Sequence, residues 1–229
     1  KEVKRMIQEA KSRNLFLMEG LWTRFIPATE KLIELLENNS IGDVLSIRAD
    51  FGFKGDSDSK NRVYNKNLGG GSLLDIGIYP IYLSLLVLGI PTEIKAVARL
   101  TETEVDSFCA LEFSYDNGAK ADLESSIEAE TPTEAHIYGT TGALKLHPRF
   151  HHTEKITHSQ EDVDTIFDIK YKGNGYVHEI EAVQSCLLNH AIESSKLPLK
   201  TSQDLSVILD TIKKKIGLDY KTETPIHIT

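Results

Sequence analysis

The chain of 229 residues holds only two cysteines, two methionines and one tryptophan. The cysteines, Cys109 and Cys186, stand far apart and without a ligand-type spacing, which argues against a disulfide framework and a zinc site. A reducing cytosol is the simplest compartment, so the expected location is cytoplasmic. Positive charge is in deficit as well: the formal net charge is −8. Nucleic acid, held mainly by Lys and Arg on phosphates, is therefore not an expected partner. A local basic site for a nucleotide is compatible with that total. Long apolar runs are missing too. The longest, Ile76 to Ile90, is interrupted by Tyr79, Pro80, Ser84 and Gly89. It is shorter than the roughly 20 residues that a spanning helix needs, so no membrane contact is expected. The chain also lacks an initiator Met and a signal-peptide pattern. Its first residues, KEVKRMIQEAKSR, already lie inside a helical pattern, with Val3, Met6, Ile7 and Ala10 on one face. That reads as a start in the middle of a larger protein.

What is present is ordinary for a globular protein, 40% hydrophobic and 26% charged. Leu15–Met18 (LFLM) is a short apolar run that predicts a buried strand. Leu21–Leu36 repeats at helical spacing and is stopped by Asn38, Asn39 and Gly42. Residues 44–53 alternate, with Leu45, Ile47, Ala49 and Phe51 on one face, and predict a half-buried strand. Residues 54–68 are polar and without period, a long loop of the kind that often carries function. Ser72–Leu88 is an apolar helix. Three alternating segments follow, around 94–100, 109–115 and 119–128. Asn117-Gly118 between the last two predicts a hairpin. Two segments flank Gly-Thr-Thr-Gly, and residues 155–171 hold one or two weaker strands. The C-terminus returns to helix, with Val177, Ile180, Val183/Gln184 and Leu187 on one face. A Thr201/Asp204 capping pair then precedes a second helix. The order predicts an α+β fold: a large open, mostly antiparallel sheet with helices packed on one face.

Four groups of residues could carry chemistry. Gly69-Gly70-Gly71 suggests a phosphate cradle, but a polar loop precedes it, and neither GxGxxG nor a Lys-Ser/Thr pair completes it. The alternative is a tight backbone turn that approaches something closely. Asp75 and Tyr79, four apart on the apolar helix, share a face. They read either as a structural hydrogen bond or as a general acid/base pair. A phenol needs a nearby cation to work near neutrality, and this helix has no Lys. Trp22 and Arg24 are either a core ring with a surface cation, or an aromatic wall and a cation offered to a ligand. His147, His151, His152 and His158 sit among turn residues and read as a solvated loop, so no metal is expected.

Together, LFLMEGLWTRFIPA and GGGSLLDIGIYPI resemble the glucose-fructose oxidoreductase/inositol dehydrogenase/MocA (Gfo/Idh/MocA) family, closest to its dimeric dihydrodiol dehydrogenase branch. The resemblance covers nearly the whole chain. It implies that residues 1–20 are the last helix and strand of an N-terminal Rossmann domain. Residues 21–229 would form the C-terminal substrate-binding and dimerisation domain. It implies NAD or NADP as cofactor, with the main binding domain and the family's catalytic Lys upstream of Lys1. Tyr79 matches the proton donor/acceptor, and Asp75 the carboxylate that orients substrate. Trp22 and Phe51 match aromatic walls of the substrate pocket, and Arg24 a contact near the cofactor. The implied reaction is hydride transfer at a hydroxyl-bearing carbon of a small polyol, a sugar-like or cyclic diol. The implied assembly is a homodimer through the open sheet face. The rival reading is a non-catalytic binding or dimerisation module that lacks redox activity when isolated.

Overall fold

The structure, a computed structural model, describes residues 2–56, 58 and 61–220. Lys1 of the first predicted helix and positions 57, 59 and 60 of the predicted loop lie outside the described residues. The chain divides into two compact units. The first runs to Ile47 and resumes over Thr133–Ile208; the second is Arg48–Pro132 with the chain from Leu209 on.

In the first unit, α1 (Glu2–Ser12) carries the amphipathic pattern expected of it and buries Ile7. A 3₁₀ turn (Trp22–Phe25) precedes α2 (Pro27–Glu37). The predicted single helix over 21–36 is thus broken at Pro27, which starts a new helix because its missing N–H is not needed there. Ala28, Leu32 and Leu35 are the buried residues of its apolar stripe. The strand expected at Leu15–Met18 is not formed. The segment is irregular, Leu15 is 56% exposed, and Leu17 N–H donates to Ile192 O at 3.1 Å. A short apolar run does not by itself distinguish a strand from a covered coil. Strands β5 (Ala135–Gly139), β6 (Ala143–Leu146), β7 (Lys155–Gln160) and β8 (Val163–Asp168) follow one another antiparallel. Ala135, Ile137, Leu144, Leu146 and Ile156 form their buried side. Then come α4 (Tyr176–Leu188) and α5 (Leu199–Ile216), the latter continuing into the second unit. The apolar stripe predicted for α4 exists but is not covered: none of its residues is buried, and Ile180 and Leu187 are about half exposed. The helix α5 begins at Leu199, ahead of the predicted Thr201 cap; Leu199 N–H donates to Glu193 Oε2 at 2.8 Å.

The second unit holds most of β1 (Val44–Gly52), then α3 (Ile78–Leu88), β2 (Glu93–Leu100), β3 (Asp106–Ser114) and β4 (Lys120–Ser126). Cys109, Leu111, Phe113, Ala121 and Leu123 alternate inward. Val97 on β2, opposite Ala110, stays 66% exposed. The Asn117-Gly118 hairpin forms, with Tyr115 N–H to Ala119 O at 3.1 Å. Only Gly118 takes positive φ (84°). The turn is therefore longer than a two-residue type I′ loop, which needs positive φ at both central positions. Across the chain the strands make one open sheet in the order β2-β3-β4-β1-β5-β6-β7-β8. The stretch Lys66–Leu88 is long and apolar enough to cross a membrane, but more than half of it is buried, as in a core helix.

One turn runs against its residue types. Gln160 pairs with Val163, so Glu161 and Asp162 are the whole β7–β8 loop, and both sit at positive φ (48° and 63°). A side chain such as that of Glu161 pays about 1–2 kcal/mol there, Asn and Asp less, and Gly least. Replacing the pair by Asn-Gly (Glu161→Asn with Asp162→Gly) should stabilise the chain by about 1 kcal/mol, read as a rise of the thermal midpoint. An unchanged or lower midpoint would contradict the turn geometry.

Candidate functional site

The segment from Asn61 to Leu88 places Asp75 and Tyr79. It opens with two 3₁₀ turns, Arg62–Tyr64 and Lys66–Leu68, each started by an asparagine. Asn61 Oδ1 accepts from Val63 N–H (3.2 Å), and Asn65 Oδ1 from Asn67 N–H (3.0 Å). Val63 and Tyr64 then anchor the first turn in a cluster with Ile76 and Ile127, against which Phe51 and Phe53 pack. In the predicted loop, residues 61–68 are held by their asparagines and two buried side chains.

The three glycines answer to protein neighbours. Gly69 ends the second turn in the left-handed region, φ 70°. A Cβ on Gly70 would stand 2.6 Å from Arg62 O, and one on Gly71, 2.3 Å from Asp106 Oδ1. Gly71 N–H also donates to Val63 O at 2.8 Å. The close approach expected at these glycines is made to backbone and a carboxylate, and no phosphate cradle forms among the described residues.

The helix itself starts with a π-helical turn, Leu73–Gly77, and continues as α3. Such wide turns inside helices are common at functional sites. Asp75 lies in the wide turn and Tyr79 at the second position of α3, both half-buried. A cation from the loop meets the carboxylate: Arg62 Nη2 stands 2.6 Å from Asp75 Oδ1. With side chains 57% and 18% exposed, this pair adds little stability, so its interest lies in orienting the carboxylate. The Phe51 ring, from β1, is 5.7 Å from the Tyr79 ring at 43°. The start of this helix thus carries two pairs in the second unit, Arg62 with Asp75 and Phe51 with Tyr79. Arg62 was not singled out in the sequence; a lone cation in a periodless loop gives no sign of its partner.

Below these pairs lies a second group that the pattern did not reveal. Asp106, fully buried at the start of β3, accepts at Oδ2 from the Ser72 hydroxyl and from Leu73 N–H, both at 2.7 Å. Ser72 Oγ also lies 3.0 Å from Ser125 Oγ. Burial drives the Asp106 carboxyl up to about 6, against the lowering effect of these hydrogen bonds. Cys109, deeper on the same strand, is pushed up to about 12 by burial and by the Asp106 charge.

Trp22 and Arg24 belong to the first unit. Trp22 is buried, stacked on Tyr176 (4.3 Å, 27°) and His152 (5.1 Å, 28°), with His151 at its edge (6.0 Å). A Cβ on Gly175, at φ 90°, would come 2.8 Å from the Trp22 ring. Arg24 is buried rather than a surface cation. Its Nε donates to Lys196 O (3.0 Å), and its Nη1 meets Glu30 Oε1 (2.7 Å), which Lys196 Nζ also reaches (2.7 Å). The loop expected to leave its histidines in solvent does not. Phe150–His152 is a 3₁₀ turn packed under Trp22, and His151 is buried. His147 Nε2 lies 2.8 Å from Thr157 Oγ1, and His158 Nε2 3.0 Å from Ser40 O. The aromatic demand of Trp22 overrides the polar composition of the loop. No group of three metal-ligating side chains is found among the described residues.

Comparison with known proteins follows the same lines. Residues 29–145 match the GFO/IDH/MocA C-terminal domain family. The trans-1,2-dihydrobenzene-1,2-diol dehydrogenase of Mus musculus is 34% identical over 226 residues, covering 96% of this chain and 67% of its own. Among solved structures, the 3-ketoreductase KijD10 of Actinomadura kijaniata, in complex with NADP and TDP-benzene, superposes with a TM-score of 0.81. It is 23% identical, over 93% of this chain and 66% of its own. The aldose-aldose oxidoreductase of Caulobacter crescentus, complexed with glycerol, gives a TM-score of 0.82 at 22% identity, over 94% and 66%. At these identities the solved structures speak for the fold. The chain spans about two thirds of the length of each of these three proteins.

The buried histidine has a measurable consequence. Burial, with His152 and Arg149 nearby, pushes His151 down to about 3 from the ordinary 6.5. Between those values the unfolded chain binds the proton that the folded chain refuses. The stability it contributes is complete above pH 6.5 and is lost as pH falls toward 3. The thermal midpoint should therefore drop between pH 7.5 and pH 5, and His151→Gln should flatten that drop. An equal drop in the variant would place the acid sensitivity elsewhere.

Proposed function

We propose a function from one premise: the chain belongs to the GFO/IDH/MocA oxidoreductase family and carries its C-terminal domain. On that premise it is the substrate half of an NAD(P)-dependent dehydrogenase that acts on CH–OH groups. The observation that carries the reading is that the start of an otherwise apolar helix holds Asp75, paired with Arg62, and four residues on Tyr79, beside Phe51. A buried apolar helix that keeps a carboxylate and a phenol together at its start has a use for them beyond packing.

Of the cofactor, the turn at Gly70 and Gly71 does not fit the diphosphate, because protein atoms fill the space around it. Asp75 and Tyr79 fit the proton side of the exchange. NAD(P), when bound, supplies the hydride chemistry. Tyr79 then holds or takes the proton at the substrate hydroxyl oxygen, so that the C–H and O–H bonds change together. Asp75, steadied by Arg62, accepts a hydrogen bond from a second hydroxyl and so fixes which carbon is presented. A vicinal diol offers two such hydroxyls, and the dihydrodiol dehydrogenases matched at 34% identity support a cyclic or sugar-like diol as substrate. Phe51 supplies an apolar wall for the ring. Trp22 as a further aromatic wall and Arg24 as a contact near the cofactor rest on the family resemblance. Arg24 would act there as a rigid edge, since Glu30 and the Lys196 carbonyl hold its guanidinium.

A homodimer through the open sheet face is part of the same reading. Its support is the exposed side of β2 and β3, where Val97 stands among paired charges such as Lys95–Glu112 (2.8 Å) and Arg99–Glu128 (2.6 Å). A face of mixed charge with apolar insertions suits a symmetric contact.

Tyr79→Phe in the full-length protein should lower turnover of a trans-dihydrodiol with NADP by about 10²–10⁴-fold, the usual worth of a positioned acid/base group. NADPH binding, followed by fluorescence, should be unchanged. Undiminished turnover in the variant would remove Tyr79 from the reaction.

A further inference from the structure

The buried carboxylate under the site is arranged for more than packing. Asp106 sits at the first position of β3, with no exposure to solvent. Two short hydrogen bonds from the start of the reactive helix go to one oxygen, Oδ2. The other oxygen, Oδ1, is buried and has no hydrogen-bond partner among the described residues. A carboxylate in that state is costly, since an unsatisfied buried acceptor loses its hydration without replacement. An Asn would make the same two contacts through its own oxygen without carrying a charge. The surroundings are nonetheless shaped to admit the charged group. Gly71 has no Cβ, which would otherwise stand 2.3 Å from Oδ1, and its φ of 107° is open only to glycine in practice. The Tyr220 hydroxyl lies beside Gly71 and donates to Gly70 O, while Gly77 lets the helix lie on Ser125.

The two bonds reach Ser72 and Leu73, the residues that open the wide turn. Asp75 follows two residues later and Tyr79 four after that, on a continuous helix. Hydrogen bonds to an ionised acceptor are about twice as strong as neutral ones, and a negative charge at a helix start is favoured by the helix dipole. We propose that Asp106 is the positioning residue of this site: in its ionised form it clamps the first turn and so sets where Asp75 and Tyr79 stand. The inference rests on the proposed role of those two residues but acts through the helix, not on substrate.

The titratable groups facing Asp106 are Tyr220 and Cys109, both raised by burial and by the Asp106 charge, so neither changes state between pH 5 and 8. The carboxyl itself, driven up to about 6, does. Because its folded value lies above the ordinary 3.8, ionisation costs stability that is fully present below 3.8 and lost as pH rises through about 6. The clamp is thus strongest where the fold tolerates it least, a combination that a purely structural carboxylate would not retain.

The test uses this chain with ¹³C-labelled tyrosine rings, the Tyr79 signal being assigned with Tyr79→Phe. In the wild type the Tyr79 signal should shift with a midpoint near pH 6. In Asp106→Asn it should not titrate, while the thermal midpoint at pH 7.5 equals or exceeds that of the wild type. Ser72→Ala, which removes one strand of the clamp and leaves the charge, should reduce the amplitude of the shift and keep its midpoint. A Tyr79 signal that does not titrate in the wild type overturns the proposal. So does an Asp106→Asn chain that melts below the wild type or does not fold, since the carboxylate would then be structural. None of these readouts uses turnover. Absence of redox activity in the full-length protein would therefore overturn the functional reading and leave this one to stand or fall separately.

Discussion

Two hydrogen bonds to one buried carboxylate oxygen, from the Ser72 hydroxyl and the Leu73 N–H, determine where the apolar helix of the second unit begins. The rest of the site inherits its geometry from that point. The wide turn that follows carries Asp75 out toward Arg62, and the first turn of α3 carries Tyr79 toward Phe51. The glycines before the helix have their place for the same reason. They let the chain pass between the Arg62–Asn65 backbone and the Asp106 carboxylate at distances no side chain would permit. A sequence feature that looks like a ligand loop is here a packing solution that holds a polar group at a helix start.

The division of labour between the two units is chemical as well as spatial. In the second unit, the polar residues of the helix meet a cation and an aromatic ring. In the first, the single tryptophan is enclosed by Tyr176, His151 and His152, and the buried arginine is neutralised by Glu30 and a backbone carbonyl. Protonation of His151 would put a charge in a buried site at the edge of the Trp22 ring, and burial holds it neutral. Both units spend polar residues in their interiors, and each does so where two or three partners fix the group in place.

Much of this was legible in the sequence, for identifiable reasons. Alternation over 94–128 and the Asn-Gly turn led directly to the strands and their hairpin, because a period of two has no competing explanation at that length. The Asp75/Tyr79 spacing marked the reactive helix, because a polar pair in an apolar helix stands out. What escaped notice was tertiary. Asp106 falls in the sequence between two alternating segments, and its tie to Ser72 spans 34 positions. Arg62 shows no pattern until Val63 and Tyr64 are seen buried beside it. Leu15–Met18 misled because a run of four apolar residues fits a strand and a covered coil equally well. The loop of histidines misled because composition said solvent, whereas the neighbouring tryptophan needed flat partners.

The central claim is that substrate meets this chain at Asp75 and Tyr79. It can be tested without the nucleotide by mapping amide and ring shifts of the chain while a cyclic vicinal diol is titrated in. The account predicts shifts centred on Phe51, Arg62, Asp75 and Tyr79. Shifts confined to the Trp22, His151 and Tyr176 cluster, with the helix start undisturbed, would contradict it.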